Sequence, residues 1–105
     1  HCNLCDISTT SVLRASHIKE WAESSKEERI DANNGLLLCA NHDALFDRHL
    51  ISFEPNTGNI CISASIDDDQ RNALNLSKSA RISMNDRMKA YMQIHYKKFI
   101  EKENQ

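Results

Sequence analysis

Asn34-Gly35-Leu36-Leu37-Leu38-Cys39-Ala40-Asn41-His42-Asp43-Ala44-Leu45-Phe46-Asp47-Arg48 is the stretch on which the fold turns. Its first half is an apolar run, Leu36-Leu37-Leu38, bounded by Gly35 and Cys39, and it reads as a short buried strand. Its second half reads as a helix through about Arg48, with Ala44, Leu45 and Phe46 inside and Asn41 as the N-cap. At the join stands Cys39-x-x-His42, one half of a tetrahedral metal site. The other half, Cys2-x-x-Cys5, lies near the start of the chain. Zinc closes its shell with four sulfur and nitrogen ligands. Two half-sites on one short chain therefore read as a structural Zn²⁺ site made by Cys2, Cys5, Cys39 and His42.

Outward from this stretch, Val12 to Ile18 reads as a strand with partial alternation. Residues 19–34 are polar and charged and read as a long surface loop, with a short helical turn near 25–29 and Trp21 and Ile30 as its anchors. The order is thus strand, long loop, strand, helix. Leu50 to Phe53 and Asn59 to Ser63 flank Glu54-Pro55-Asn56-Thr57-Gly58, which predicts a hairpin. Asp67-Asp68-Asp69 starts a short helix toward Leu74. Ser83-x-x-Asp86 resembles a capping box for a last helix ending near Glu101. On that helix Met84, Met88, Tyr91, Met92, His95 and Phe99 share one face, which predicts core packing. The expected class is α+β, in one domain over 1–105: a core at 1–49, a hairpin at 50–64 and a C-terminal helix at 83–102.

A chain of 105 residues supports one modest core. Its 40% hydrophobic and 27% charged residues are ordinary for a globular protein. No apolar run approaches the roughly 18–20 residues of a membrane span, so no membrane role is expected. Two disulfides are a poor account of four cysteines, because three of them stand in metal-ligand spacing. Cys61, within Ile60-Cys61-Ile62, reads as a small buried hydrophobe. A reducing, cytoplasmic compartment follows as the expectation. The formal net charge of −2 excludes a domain that holds nucleic acid by bulk electrostatics. The chain opens on His1 rather than Met, which leads to the expectation of a piece of a longer protein with further domains upstream.

Three motifs, Leu13-Arg14-Ala15-Ser16-His17-Ile18-Lys19-Glu20-Trp21, Asn34-Gly35-Leu36-Leu37-Leu38-Cys39 and His42-Asp43-Ala44-Leu45-Phe46-Asp47-Arg48, together resemble the HNH nuclease family with its ββα-metal fold. The resemblance is close over 2–54 and looser beyond. It implies a DNA endonuclease that hydrolyses phosphodiester bonds, set in a restriction or defence enzyme, and leaves 5′-phosphate and 3′-hydroxyl ends. His17 takes the place of the general base, suited to it because an unperturbed imidazole titrates near neutrality. Asn34 takes the place of the central Asn, which holds the long loop so that His17 points correctly; Asn33 is the neighbouring alternative. With Cys39-x-x-His42 in the zinc half-site, Asp43 falls on the catalytic-metal position, although whether His42 serves zinc or that metal stays open. Asp47 lies one helical turn further on the same face, and two carboxylates there suit Mg²⁺ or Mn²⁺. Ser16 departs from the wider family pattern, where an Asp or His commonly precedes the base; serine is a poor ligand. Arg14, Lys19 and Arg48 are candidate DNA phosphate contacts, and a homodimer is compatible with the reading. Two other classes compete: a zinc-stabilised nucleic-acid-binding module without activity, and a zinc-dependent protein-interaction domain.

Overall fold

The structure is a computed structural model and describes residues 1–105. Its elements are β1 (Leu13–His17), α1 (Lys26–Arg29), β2 (Gly35–Cys39), α2 (Ala40–Asp47), β3 (Ile51–Phe53), β4 (Ile60–Ile62), α3 (Asp68–Ala73) and α4 (Asp86–Glu103). The α+β expectation holds. β1 and β2 form an antiparallel hairpin in which Leu13 faces Cys39 and His17 faces Gly35. β3 and β4 form a second, separate one. No helix is long and apolar enough to cross a membrane.

The apolar run of β2 is not buried throughout. Leu36 and Leu38 are buried, but Leu37 is 39% exposed. A two-stranded sheet has one covered face here, and strand side chains alternate between faces. α2 covers that face, with Phe46 fully buried between the first sheet and β3.

Helix α2 begins one residue after β2 ends, with no connecting loop. Its N-cap is Cys39, and Asn41 lies inside the first turn, so the expected Asn41 cap is corrected. Cys39 already has the extended backbone of a cap (φ −68, ψ 164), being the last residue of a strand. The cap of α4 also moves. Asn85, not Ser83, accepts the Met88 amide at 2.9 Å, and the helix spans Asp86–Glu103. Met92, His95 and Phe99 are buried on its inner face, against β3. Cys61 is half-buried rather than buried, because β4 leaves its second face to solvent.

The long loop is anchored differently from the expectation. Trp21 is 58% and Ile30 87% exposed. Polar contacts hold the loop instead. Ser25 and Glu28 form a reciprocal capping box on α1. The Asp31 carboxylate accepts from the Asn33 amide, the Tyr91 hydroxyl and Arg87, tying the loop to α4. Gly58 sits at φ +77 in the second hairpin turn, where a side chain would drive into the Ile82 carbonyl.

Candidate active site and metal centre

The N-terminal knuckle is folded onto β2. The Asn3 amide and side chain both donate to the Leu37 carbonyl at 2.9 Å, and the Cys2 amide donates to Ile7. This brings Cys2 and Cys5 to the end of β2, where Cys39 closes the strand and His42 lies in the first turn of α2. The ligand atoms of all four lie within 4.8 Å of one another. The Cys2 Sγ to His42 Nδ1 distance is 3.5 Å. Zinc–sulfur and zinc–nitrogen bonds meeting at the tetrahedral angle require an edge of about 3.6 Å. The donor set therefore fits a closed, zinc-like site.

The ring of His42 is also oriented for it. Its Nε2–H donates to the Leu74 carbonyl at 2.8 Å, which leaves the Nδ1 lone pair toward the thiols. His42 is thus in the cysteine cluster. The thiols sit in unlike surroundings. Burial pushes Cys2 up, but the His42 ring and the Leu4 and Cys39 amides outweigh it and hold it at about 6. Burial, then the neighbouring Cys2 and Cys39 sulfurs, push Cys5 up to about 11. A bound metal relieves that repulsion.

Beside this centre lies a cavity of about 450 Å³ whose wall includes Arg14, Ser16, His17, Asp43 and Asp47. His17 ends β1, half-buried, and its Nε2–H donates to the Arg29 carbonyl at 3.0 Å. That bond fixes the tautomer and leaves Nδ1 with a free lone pair. Ser16 is buried and donates its hydroxyl to Asp43 Oδ1. It is therefore an orienter of the carboxylate. Asp43 stands in the first turn of α2, where the helix dipole favours a negative charge. Asp47 is in no ion pair with Arg14 or Arg48. Burial and then the Asp43 charge push its carboxyl above the usual range.

Asn34, not Asn33, is the fully buried residue of the pair. Its Oδ1 accepts the Lys19 amide at 2.8 Å, and its Nδ2 donates to the Glu28 carbonyl at 3.1 Å and to Ser24 Oγ at 3.4 Å. It joins both ends of the loop directly behind His17. Asn34→Ala leaves the Lys19 amide and the Glu28 carbonyl without their partner, which is expected to cost about 2–3 kcal/mol. The corresponding fall in Tm is roughly 10–20 °C. A melting curve of the variant within a few degrees of the parent counts against this role.

The basic candidates separate. Arg14 is exposed at the cavity, with one terminal nitrogen on the Ser11 and Leu13 carbonyls. Lys19 is paired with both carboxylate oxygens of Glu28 at 2.9 Å. Arg48 is exposed and lies outside the cavity wall.

The cavity wall also includes Glu20, Trp21, His49 and His95. His95 is neutral and fixed. Its Nε2–H donates to the Phe46 carbonyl and its Nδ1 accepts the Ser52 hydroxyl, both at 2.8 Å, and burial pushes it down to about 3. His49 follows the Arg48 cap of α2 in the left-handed region (φ 57), with its ring stacked on His95, centroids 4.3 Å apart. Its Nε2 has no hydrogen-bond partner and lies 3.5 Å from Glu20 Oε1. Helical spacing places His95 on the core-packing face, where it is buried, but nothing local marks His49, since left-handed helix ends are normally glycine.

Compared with known proteins, the chain matches the family described as HNH endonuclease over residues 2–54. No curated protein matches it.

Proposed function

The chain belongs to the HNH endonuclease family, and from that membership we propose that it hydrolyses DNA phosphodiester bonds, with His17 as general base and Asp43 and Asp47 holding a divalent cation. The observation that carries this reading is the state of His17. One ring nitrogen is committed to the Arg29 carbonyl, the other has no hydrogen-bond partner, and the residue lines a cavity shared with two carboxylates. In the reaction, Nδ1 accepts a proton from water as that water attacks phosphorus. The Nε2–H stays on the Arg29 carbonyl and stabilises the positive ring. The bond to the 3′ oxygen breaks and that oxygen takes a proton from solvent, leaving a 5′-phosphate and a 3′-hydroxyl, as the family resemblance implies.

The donor set fits Mg²⁺ or Mn²⁺, hard cations that take carboxylate oxygen. Ser16 ties one oxygen of Asp43, and the Asp47 carboxyl is raised by burial and then by the Asp43 charge, with His17 acting only weakly against them. A cation held by Asp43 and Asp47 would supply charge to polarise the scissile phosphate and offset the charge on the leaving 3′ oxygen. Cys2, Cys5, Cys39 and His42 hold Zn²⁺ in a structural role. Arg14 is the basic candidate best placed to meet a phosphate. The setting we propose is a restriction or defence enzyme of the cytoplasm, with specificity supplied by further domains or by pairing of two copies.

Supercoiled plasmid with Mg²⁺ or Mn²⁺ tests the reaction. Nicked or linear product with 5′-phosphate ends is expected, and intact plasmid under both metals sinks the reading. Asp47 gives an independent check. Its raised carboxyl means that the native state disfavours the charge, so its contribution to stability falls as pH rises through the carboxylate range. Asp47→Asn should slightly raise Tm at pH 7 in buffer free of Mg²⁺ and Mn²⁺. It should also abolish the rise in Tm that Mn²⁺ gives the parent. An unchanged response to Mn²⁺ removes Asp47 from the cation site.

One observation favours the inactive nucleic-acid-binding module. The cysteine cluster is the only group of three or more such side chains whose donor atoms converge in the protein alone. The plasmid assay separates the two readings.

A further inference from the structure

Trp21 is the one tryptophan of the chain. It is 58% exposed, although tryptophan is on average a highly buried side chain. It forms part of the wall of the cavity that holds His17, Asp43 and Asp47. The ring is held rather than loose. Its backbone starts the 3-10 turn Trp21–Glu23. The Arg29 guanidinium carbon lies 3.6 Å from the ring centroid, and Arg29 Nε–H donates to the Trp21 carbonyl at 2.9 Å. A cation therefore covers one face of the indole. Arg29 is also the residue whose carbonyl holds His17, so indole and imidazole are positioned from a single point. The Arg29 side chain bonds within the protein only through Nε, which leaves its terminal nitrogens for an anion.

The net charge is −2. Of the cations nearest the loop, Lys19 is paired with Glu28, Lys98 with Glu20 and Glu23, and Arg87 with Asp31. With acidic residues in excess, bulk electrostatics alone does not hold a nucleic acid. Base stacking on an aromatic ring contributes about 5- to 150-fold in affinity per base and tolerates any sequence. It requires a base whose own face is free, and in a paired duplex those faces are covered until the base is extruded.

Resting on the nuclease reading above, we propose that Trp21, backed by Arg29, is a stacking platform for an unpaired DNA base beside the scissile phosphate, so that locally single-stranded DNA is the favoured substrate. The surroundings of the ring select this occupant over an apolar protein surface. Its neighbours in the cavity wall include Arg14, His17, Glu20 and His49, which break up any continuous apolar patch. A guanidinium on one side of an indole matches a chain of phosphates and aromatic bases.

The test uses the full chain as His17→Ala, so that bound DNA is not cut, and probes it with a ten-nucleotide oligothymidine strand, the same backbone without bases, and a blunt duplex. Trp21 is the sole indole, so its fluorescence reads the site directly. Quenching by oligothymidine, with little by the abasic strand or the duplex, is expected. Adding Trp21→Ala should weaken oligothymidine binding about 5- to 150-fold by anisotropy, while Trp21→Phe retains most of it. Trp21 is exposed, and circular dichroism should report an unchanged fold. Equal affinity of the Ala variant, or equal quenching by the abasic strand, overturns the platform. So does fluorescence that follows protein concentration rather than DNA, which assigns the ring to a second copy. Plasmid cleavage by the parent is scored separately. Cleavage without quenching defeats the platform and spares the nuclease, and quenching without cleavage does the reverse.

Discussion

Cys39→Ser is expected to leave most of the chain unfolded at 25 °C, with loss of one bound zinc per chain. Cys39 occupies three roles at once: last residue of β2, N-cap of α2, and ligand between the N-terminal knuckle and His42. Structural zinc sites supply apparent binding energies of about 10–16 kcal/mol that count as folding energy. A domain of this size has a net stability of only about 5–15 kcal/mol. Without the metal, Cys2, Cys39 and His42 are left as a buried group of two sulfurs and an imidazole tied by one Cys2–His42 contact. Far-ultraviolet circular dichroism and a zinc assay read the outcome. Cys61→Ser is the control, since that thiol is half-buried and away from the cluster, and it should shift Tm by only a few degrees. A Cys39→Ser protein that melts within a few degrees of the parent would falsify the structural role of the site.

His17→Ala is expected to act in the opposite way, sparing the fold and lowering plasmid cleavage about 10²- to 10⁴-fold, the usual contribution of a general base. The fold loses one hydrogen bond, from Nε2 to the Arg29 carbonyl, worth about 1 kcal/mol. His17 stands at the open end of β1 and is only half-buried, so little packing goes with it. Cleavage within threefold of the parent, with normal Mn²⁺ dependence, removes His17 from the reaction. Equal loss of structure in His17→Ala and Cys39→Ser would refute the separation of the two centres.

The two metal half-sites and the turn residues were legible because their chemistry is local. Cys2-x-x-Cys5 and Cys39-x-x-His42 have few other uses in one short chain, and the metal-ligand geometry follows from them. Asn34 was legible through its motif, and its buried bonds to Lys19, Ser24 and Glu28 explain why its neighbour Asn33 does not take that place. What stayed hidden depends on contacts distant in sequence. Trp21 reads as an anchor because large apolar residues usually are. Its exposure follows only once Arg29, Ser25 and Glu28 hold the loop by polar bonds. His49 gives no signal, since a left-handed backbone at a histidine is fixed by the stack on His95 from α4. Leu37 and the caps of α2 and α4 were misread by one face or two residues, the margin within which local propensity yields to packing.

The seam between β2 and α2 has no slack. The Cys39 sulfur of the metal-ligand cluster and the two carboxylates that share a cavity with His17 ride on a single rigid lever, Cys39 to Asp47. Each residue inserted into that lever turns everything beyond it by about 100°. Length is therefore frozen between these positions, and a change of length there would break the register between the two centres.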